Sequence, residues 1–122
     1  MNSGPQFARM PWYPRDFASS TRGWPLVARG VYRELLDSQW DLGGLNHGGI
    51  LPEDQEALRV LAGASAPEWL IAWPFVEPKF PLVPGGRQNA RLEAHRQNAV
   101  KEFLGHRRGA EMTNRKRWGK SS

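Results

Sequence analysis

Ten of the seventeen Lys and Arg residues of this 122-residue chain lie at or beyond position 87. They are Arg87, Arg91, Arg96, Lys101, Arg107, Arg108 and the cations of the run Arg115-Lys116-Arg117-Trp118-Gly119-Lys120. Cationic groups strung along one segment suit a phosphate backbone, because each neutralised phosphate releases counterions and the binding weakens as salt rises. Trp118, inside the run, offers a ring on which an exposed base can stack. The net charge of +5 conceals this asymmetry, since residues 1–86 carry seven Lys+Arg against nine Asp+Glu and residues 87–122 carry ten against three. The same pattern also describes a solvated tail that only raises solubility.

Other chemistry finds little support. His47, His95 and His106 have no metal-ligand spacing, so no metal ligand is assigned and no cofactor is expected. Glu53, Asp54 and Glu56 gather at the start of a helix, where the dipole already favours negative charge without any bound Mg²⁺. Gly43-Gly44 and Gly48-Gly49 lack the Lys-Ser/Thr of a phosphate-binding loop, and no serine occupies a nucleophile elbow. With no Cys there is no thiolate chemistry, no disulfide and no cysteine-based zinc finger. The expectation is a protein without catalytic residues.

The elements that would carry the basic segment begin with an amphipathic helix around Gly30–Trp40. Tyr32, Leu36, Gln39 and Trp40 fall at i, i+4, i+7 and i+8, with Val27, Val31 and Leu35 widening the stripe. Pro25 serves as its first residue. Gly30 inside it costs ~1 kcal/mol relative to Ala, which predicts close packing on a neighbour, with Trp12 to Phe17 as the candidate. Residues 1–10 read as a flexible arm and Pro11 to Phe17 as an extended segment. Gly43 to Gly49 reads as a flexible surface loop.

A second helix is expected from Pro52, burying Ala57, Leu58, Leu61 and Ala62 and ending at Gly63. Ser65-Ala66-Pro67-Glu68 forms a capping box for a third helix that carries Trp69, Leu70 and Trp73 and stops at Pro74 or Pro78. Pro84-Gly85-Gly86 turns the chain between two short extended pieces, the first kept at an edge by Pro81. A last helix spans Asn89 to Leu104 on a stripe of Leu92, Ala99, Val100, Phe103 and Leu104, with Gly105 as its stop. The fold class is thus mainly α (α+β): a winged-helix-like domain of three helices and a short β-hairpin over residues 11–105, followed by a basic, disordered tail at 106–122.

In such a domain the third helix ordinarily reads DNA, yet residues 60–78 contain no Lys or Arg and Glu68 and Glu77 would face phosphate. Sequence-specific reading by that helix is disfavoured, and Trp69 and Trp73 are assigned to the core. No apolar run reaches bilayer length and no leader pattern opens the chain, so a cytoplasmic protein without membrane contact is expected.

The order Pro11-Trp12-Tyr13-Pro14-Arg15-Asp16-Phe17, then Gly30-Val31-Tyr32-Arg33-Glu34-Leu35-Leu36-Asp37-Ser38-Gln39-Trp40, then Asn89-Ala90-Arg91-Leu92-Glu93 resembles the YdaU-type family of prophage proteins. That resemblance implies a prophage setting and a likeness in outline to the DnaD-like helicase-loading group. The expected function is therefore a non-catalytic phage or prophage DNA-replication accessory protein. It would bind DNA without sequence preference through wing, last helix and tail, while the folded body contacts a replication protein or helicase in the bacterial host. The rival expectation is a protein-interaction module, a small phage-encoded adaptor or inhibitor, without DNA binding of its own. A nuclease comes third, for want of any motif. Whether the last helix pairs with a second copy through Leu92, Val100 and Phe103 is left open by the sequence.

Overall fold

The computed structural model describes residues 9–119, with side-chain surroundings described up to Gly109. Helix α2 (Leu26–Leu42) is the spine. Its periodic stripe buries Ala28, Val31, Tyr32, Leu35, Leu36, Gln39 and Trp40, and α3 (Gln55–Ala62) and α4 (Ala66–Val76) pack on it. A short 3₁₀ turn (Glu77–Lys79) leads into an antiparallel hairpin of β1 (Leu82–Val83) and β2 (Gly86–Arg87), paired Leu82 to Arg87 and Val83 to Gly86. Helix α1 (Pro14–Ser20) precedes this set and α5 (Ala90–Gly119) follows it. The result is the expected mainly helical fold with one hairpin, in the element order of a winged helix. One cluster of Val31, Leu35, Leu58, Trp69, Val76, Phe80 and their buried neighbours makes the core.

Local chemistry explains the helix boundaries. Asp54 caps α3, its Oδ2 accepting from Ala57 N at 2.8 Å, so the helix starts after the cap and not at Pro52. Gly63 ends α3 in the left-handed region at φ +70°, where glycine carries no Cβ penalty. The capping box of α4 is complete: Ser65 Oγ accepts from Glu68 N, and Glu68 Oε1 accepts from Ser65 N. Pro74 does not stop α4, because it sits on the exposed side and the helix carries on to Val76. Leu58 and Ala62 are buried as expected, whereas Leu61 and Leu70 are exposed.

Three segments differ from expectation in kind. Pro14–Ser20 is helical, overlapping the segment Pro11 to Phe17 that was expected to be extended, with Pro14 in the first turn, where its missing N–H leaves no bond unmade. The glycine-rich stretch after α2 is at the surface in its middle, where Leu45, Asn46 and His47 are exposed, but packed at its ends: Gly43 and Gly49 are buried, and a Cβ at Gly49 would collide with the Gln39 carbonyl. The last helix runs through Gly105 and Gly109 to Gly119, so residues 106–119 are helix and not an unstructured tail. Extending an existing helix adds a bond per residue without a new nucleus, and the Arg, Lys, Glu, Ala and Met of this stretch are good helix formers, which outweighs two glycines. Residues 1–8 of the expected arm and residues 120–122 lie outside the described residues.

Candidate nucleic-acid interface

The basic residues can be judged only against what holds α5 in place. Asn89 caps the helix, its Oδ1 accepting from Leu92 N at 2.9 Å while its Nδ2 donates to the Lys79 carbonyl at 2.8 Å. The amide of Gln39, buried on α2, grips the Asn89 main chain from both sides. Its Oε1 accepts from Asn89 N at 2.7 Å and its Nε2 donates to Asn89 O at 3.0 Å. Leu92 enters the core one turn later. The Asn89-Ala90-Arg91-Leu92 string is therefore a docking element that fixes where α5 begins and how it leaves the body.

Two of the expected DNA contacts belong to that docking. Arg96 is buried, binding both carboxylate oxygens of Glu93 at 2.7 and 2.8 Å and the Gly44 carbonyl at 2.6 Å. Its bonds to Glu93 hold that carboxyl below its usual range and raise the guanidinium's own pKa. Arg87 donates to the Phe80 carbonyl at 3.0 Å, lies 3.5 Å from Glu77, and sits 5.1 Å over the Trp73 ring. The Arg87 main chain also pairs with Leu51, whose N donates to Arg87 O at 2.8 Å and whose O accepts from Arg87 N at 2.9 Å. Both guanidinium groups face protein, so the wing and the root of α5 offer DNA less charge than the sequence suggests. For Arg96 the signal was in the sequence, a glutamate three residues earlier on the same helix face.

The remaining cations are differently placed. Arg91 is more than half exposed yet bonded to Asp16 of α1 at 2.6 Å. Lys101, Arg107 and Arg108 are exposed. Arg115, Lys116 and Arg117 ride on the outer part of α5 together with Trp118, their side chains lying outside the described residues, as does Lys120 altogether. Lys101 and Arg108 stand seven residues apart and so share one face of the helix. Helix α4, in the position of a recognition helix, presents Glu68, Leu70, Ile71, Pro74 and Phe75 to solvent and no cation.

Most residues of the sequence strings have internal tasks. Tyr32 stands at the centre of an aromatic cluster, its ring stacked on Phe17 at 5.4 Å, tilted to Trp24 at 5.5 Å and edge-on to Phe80 at 5.8 Å. Burial pushes its phenol pKa up. Trp12 packs on Phe17 and under the Arg33 guanidinium, 3.9 Å from the ring centre, and Tyr13 meets His95 at 5.0 Å. The cleft left between these groups is about 70 Å³, well below the few hundred Å³ of a small-molecule site. Gly30 is the exception, because no neighbour comes within 4 Å of where its Cβ would stand and its position is exposed. The close packing expected there does not occur.

Among the described residues, no group of three or more His, Asp or Glu side chains is arranged to hold a metal ion. Asp54 is committed to its cap and Glu56 to Arg59. No described helix is long and apolar enough to cross a membrane. Compared with known proteins, residues 9–96 match the family model described as "Protein of unknown function (DUF1376)". No curated protein and no solved structure matches the chain. The family match thus covers α1 to the buried root of α5 and stops short of its outer part.

Proposed function

The chain belongs to the family of proteins of unknown function DUF1376, and from that premise we propose that it is a non-catalytic phage or prophage replication accessory protein. It holds DNA through the outer part of α5 while the folded body contacts a second protein. The observation that carries this reading is the continuation of α5 beyond the family-matched body as helix to Gly119, with Lys101 and Arg108 exposed on it and Arg115, Lys116 and Arg117 further along the same helix. A helix of 30 residues is about 45 Å long, enough to lie along a groove or follow a phosphate chain. Arg87 and Arg96 take no part in this contact, and the cation-free face of α4 argues for binding without base reading. The replication setting is drawn from the likeness to YdaU-type prophage proteins and, through them, to the DnaD-like group.

Fluorescence anisotropy with short single- and double-stranded DNA at two salt concentrations tests the reading. The full chain binds at low salt with a steep salt dependence, and the triple substitution Arg115→Ala, Lys116→Ala and Arg117→Ala lowers the slope of log K against log salt by about 2–3. Absence of binding at low salt would sink it and leave the adaptor reading, which the exposed apolar face of α4 favours.

A further inference from the structure

We infer that the outer face of α4 is a self-association surface, on which a second copy of this chain packs antiparallel about a two-fold axis. The inference goes beyond DNA binding and does not depend on it.

All eight residues from Trp69 to Val76 are apolar, and the core takes only half of them. Trp69, Ala72, Trp73 and Val76 are buried, while Leu70, Ile71, Pro74 and Phe75 form the opposite, exposed side. A helix that is apolar all round belongs between two bodies. Leu70, Ile71 and Phe75 are 76%, 53% and 39% exposed and together leave about 300 Å² of apolar surface. A standard interface takes about 800 Å² from each partner, so this face is the centre of a modest, reversible contact whose rim is charged. Helix α5, the other surface on which two copies could meet, has Leu92 committed to its own core and Val100 and Phe103 half-buried.

The charges on that rim single out a second copy as the occupant. Glu68, Ile71 and Phe75 follow at i, i+3 and i+7 and share one side of α4. The acid end is reinforced by Glu34 of α2, which lines the same cavity as Glu68. The opposite end carries a cation: Lys79 holds its ammonium 6.0 Å over the Trp24 ring, and that ring meets Phe75 at 5.9 Å. Glu77, the acid nearest to Lys79 in sequence, lies 3.5 Å from Arg87 and is offset by it. Acid, apolar centre, cation is an order complementary to its own reverse. An antiparallel pairing centred near Trp73 sets Ile71 of one copy against Phe75 of the other and Glu68 against Lys79, twice by symmetry. A parallel neighbour would set acid on acid.

Sedimentation equilibrium of the full chain from about 1 to about 300 μM should show monomer and dimer in exchange with a micromolar Kd. Ile71→Lys, at an exposed position that the fold tolerates, should weaken the dimer at least tenfold without lowering the melting temperature of the dilute chain. Glu68→Lys and Lys79→Glu should each weaken it about threefold or more. An equimolar mixture of these two variants should restore dimers, because in the mixed pair both contacts regain opposite charges. Glu68→Lys also removes a capping bond, so Lys79→Glu, which removes none, decides if that variant unfolds. A chain that stays monomeric across the range, association indifferent to Ile71→Lys and Lys79→Glu, or a mixture no better than its parts overturns the inference. A monomer that still binds DNA sinks this inference alone, and the triple α5 substitution should leave association unchanged, so the two readings fail separately.

Discussion

Helix α5 holds two kinds of arginine on one continuous stretch of backbone. At its root, Arg96 is enclosed by Glu93 and the Gly44 carbonyl and Arg91 is tied to Asp16. Further out, Arg107 and Arg108 stand on exposed helix, and the triplet at 115–117 lies further still from the body. The difference teaches that charge count along a helix says little about function until the partners of each charge are known. A buried cation must be matched within the fold, so the enclosed Arg96 beside the core-facing Leu92 is structural, whereas the exposed Arg108 can meet a ligand.

The sharpest way to break this contrast is to truncate one arginine of each kind and compare urea denaturation. Arg96→Ala should cost about 3 kcal/mol, because it leaves Glu93 in a largely enclosed site with only the Gln97 amide bonded to it and leaves the Gly44 carbonyl without its donor, whereas Arg108→Ala should stay within about 0.5 kcal/mol of the parent. Equal losses would erase the distinction. Next in size, Asn89→Ala removes the cap and the bond to Lys79 and should cost about 2 kcal/mol by the same measurement.

Acid unfolding supplies a third comparison. Glu93 has a depressed pKa in the folded state, so below the ordinary carboxylate value of 4.5 the unfolded chain takes up its proton first. The stability from this pair is therefore present at neutral pH and drains away as the pH falls through the folded value. Glu56 and Glu68 are depressed as well, but they are the same in parent and Arg96→Ala chains. The difference between the two acid profiles isolates Glu93, and the variant's profile should be the flatter. The smallest effect belongs to Asp16→Asn. The pair with Arg91 is exposed on both sides, and its loss should cost about 0.5 kcal/mol or less, read as a small shift in urea midpoint.

Much of the body was legible in the sequence because it obeys local rules. The α2 stripe, the Ser65–Glu68 capping box and the glycine stop at Gly63 each depend on residues within one or two turns. What escaped depends on distance. Asn89 reads as a helix start, yet its grip by Gln39 spans fifty positions, and nothing near Arg87 announces Trp73, Phe80 and Glu77 as its surroundings. Gly105 is an ordinary stop signal that fails because glycine weakens a helix without forbidding it. Gly30 misled in the opposite sense: a mid-helix glycine suggests a close neighbour, but no atom comes within 4 Å of where its Cβ would stand.

The unbroken course of α5 from its Asn89 cap also sets an angle. Each residue turns the helix by about 100°, so the azimuth of residues 115–117 about the helix axis is fixed at Asn89, some 40 Å away. One alanine inserted between Gly105 and Gly109 would swing the basic face by that step and move it about 1.5 Å outward while leaving both ends chemically intact. A DNA site gripped in isolation would not notice. An assembly in which body and helix must hold their ligands at the same moment would be out of phase.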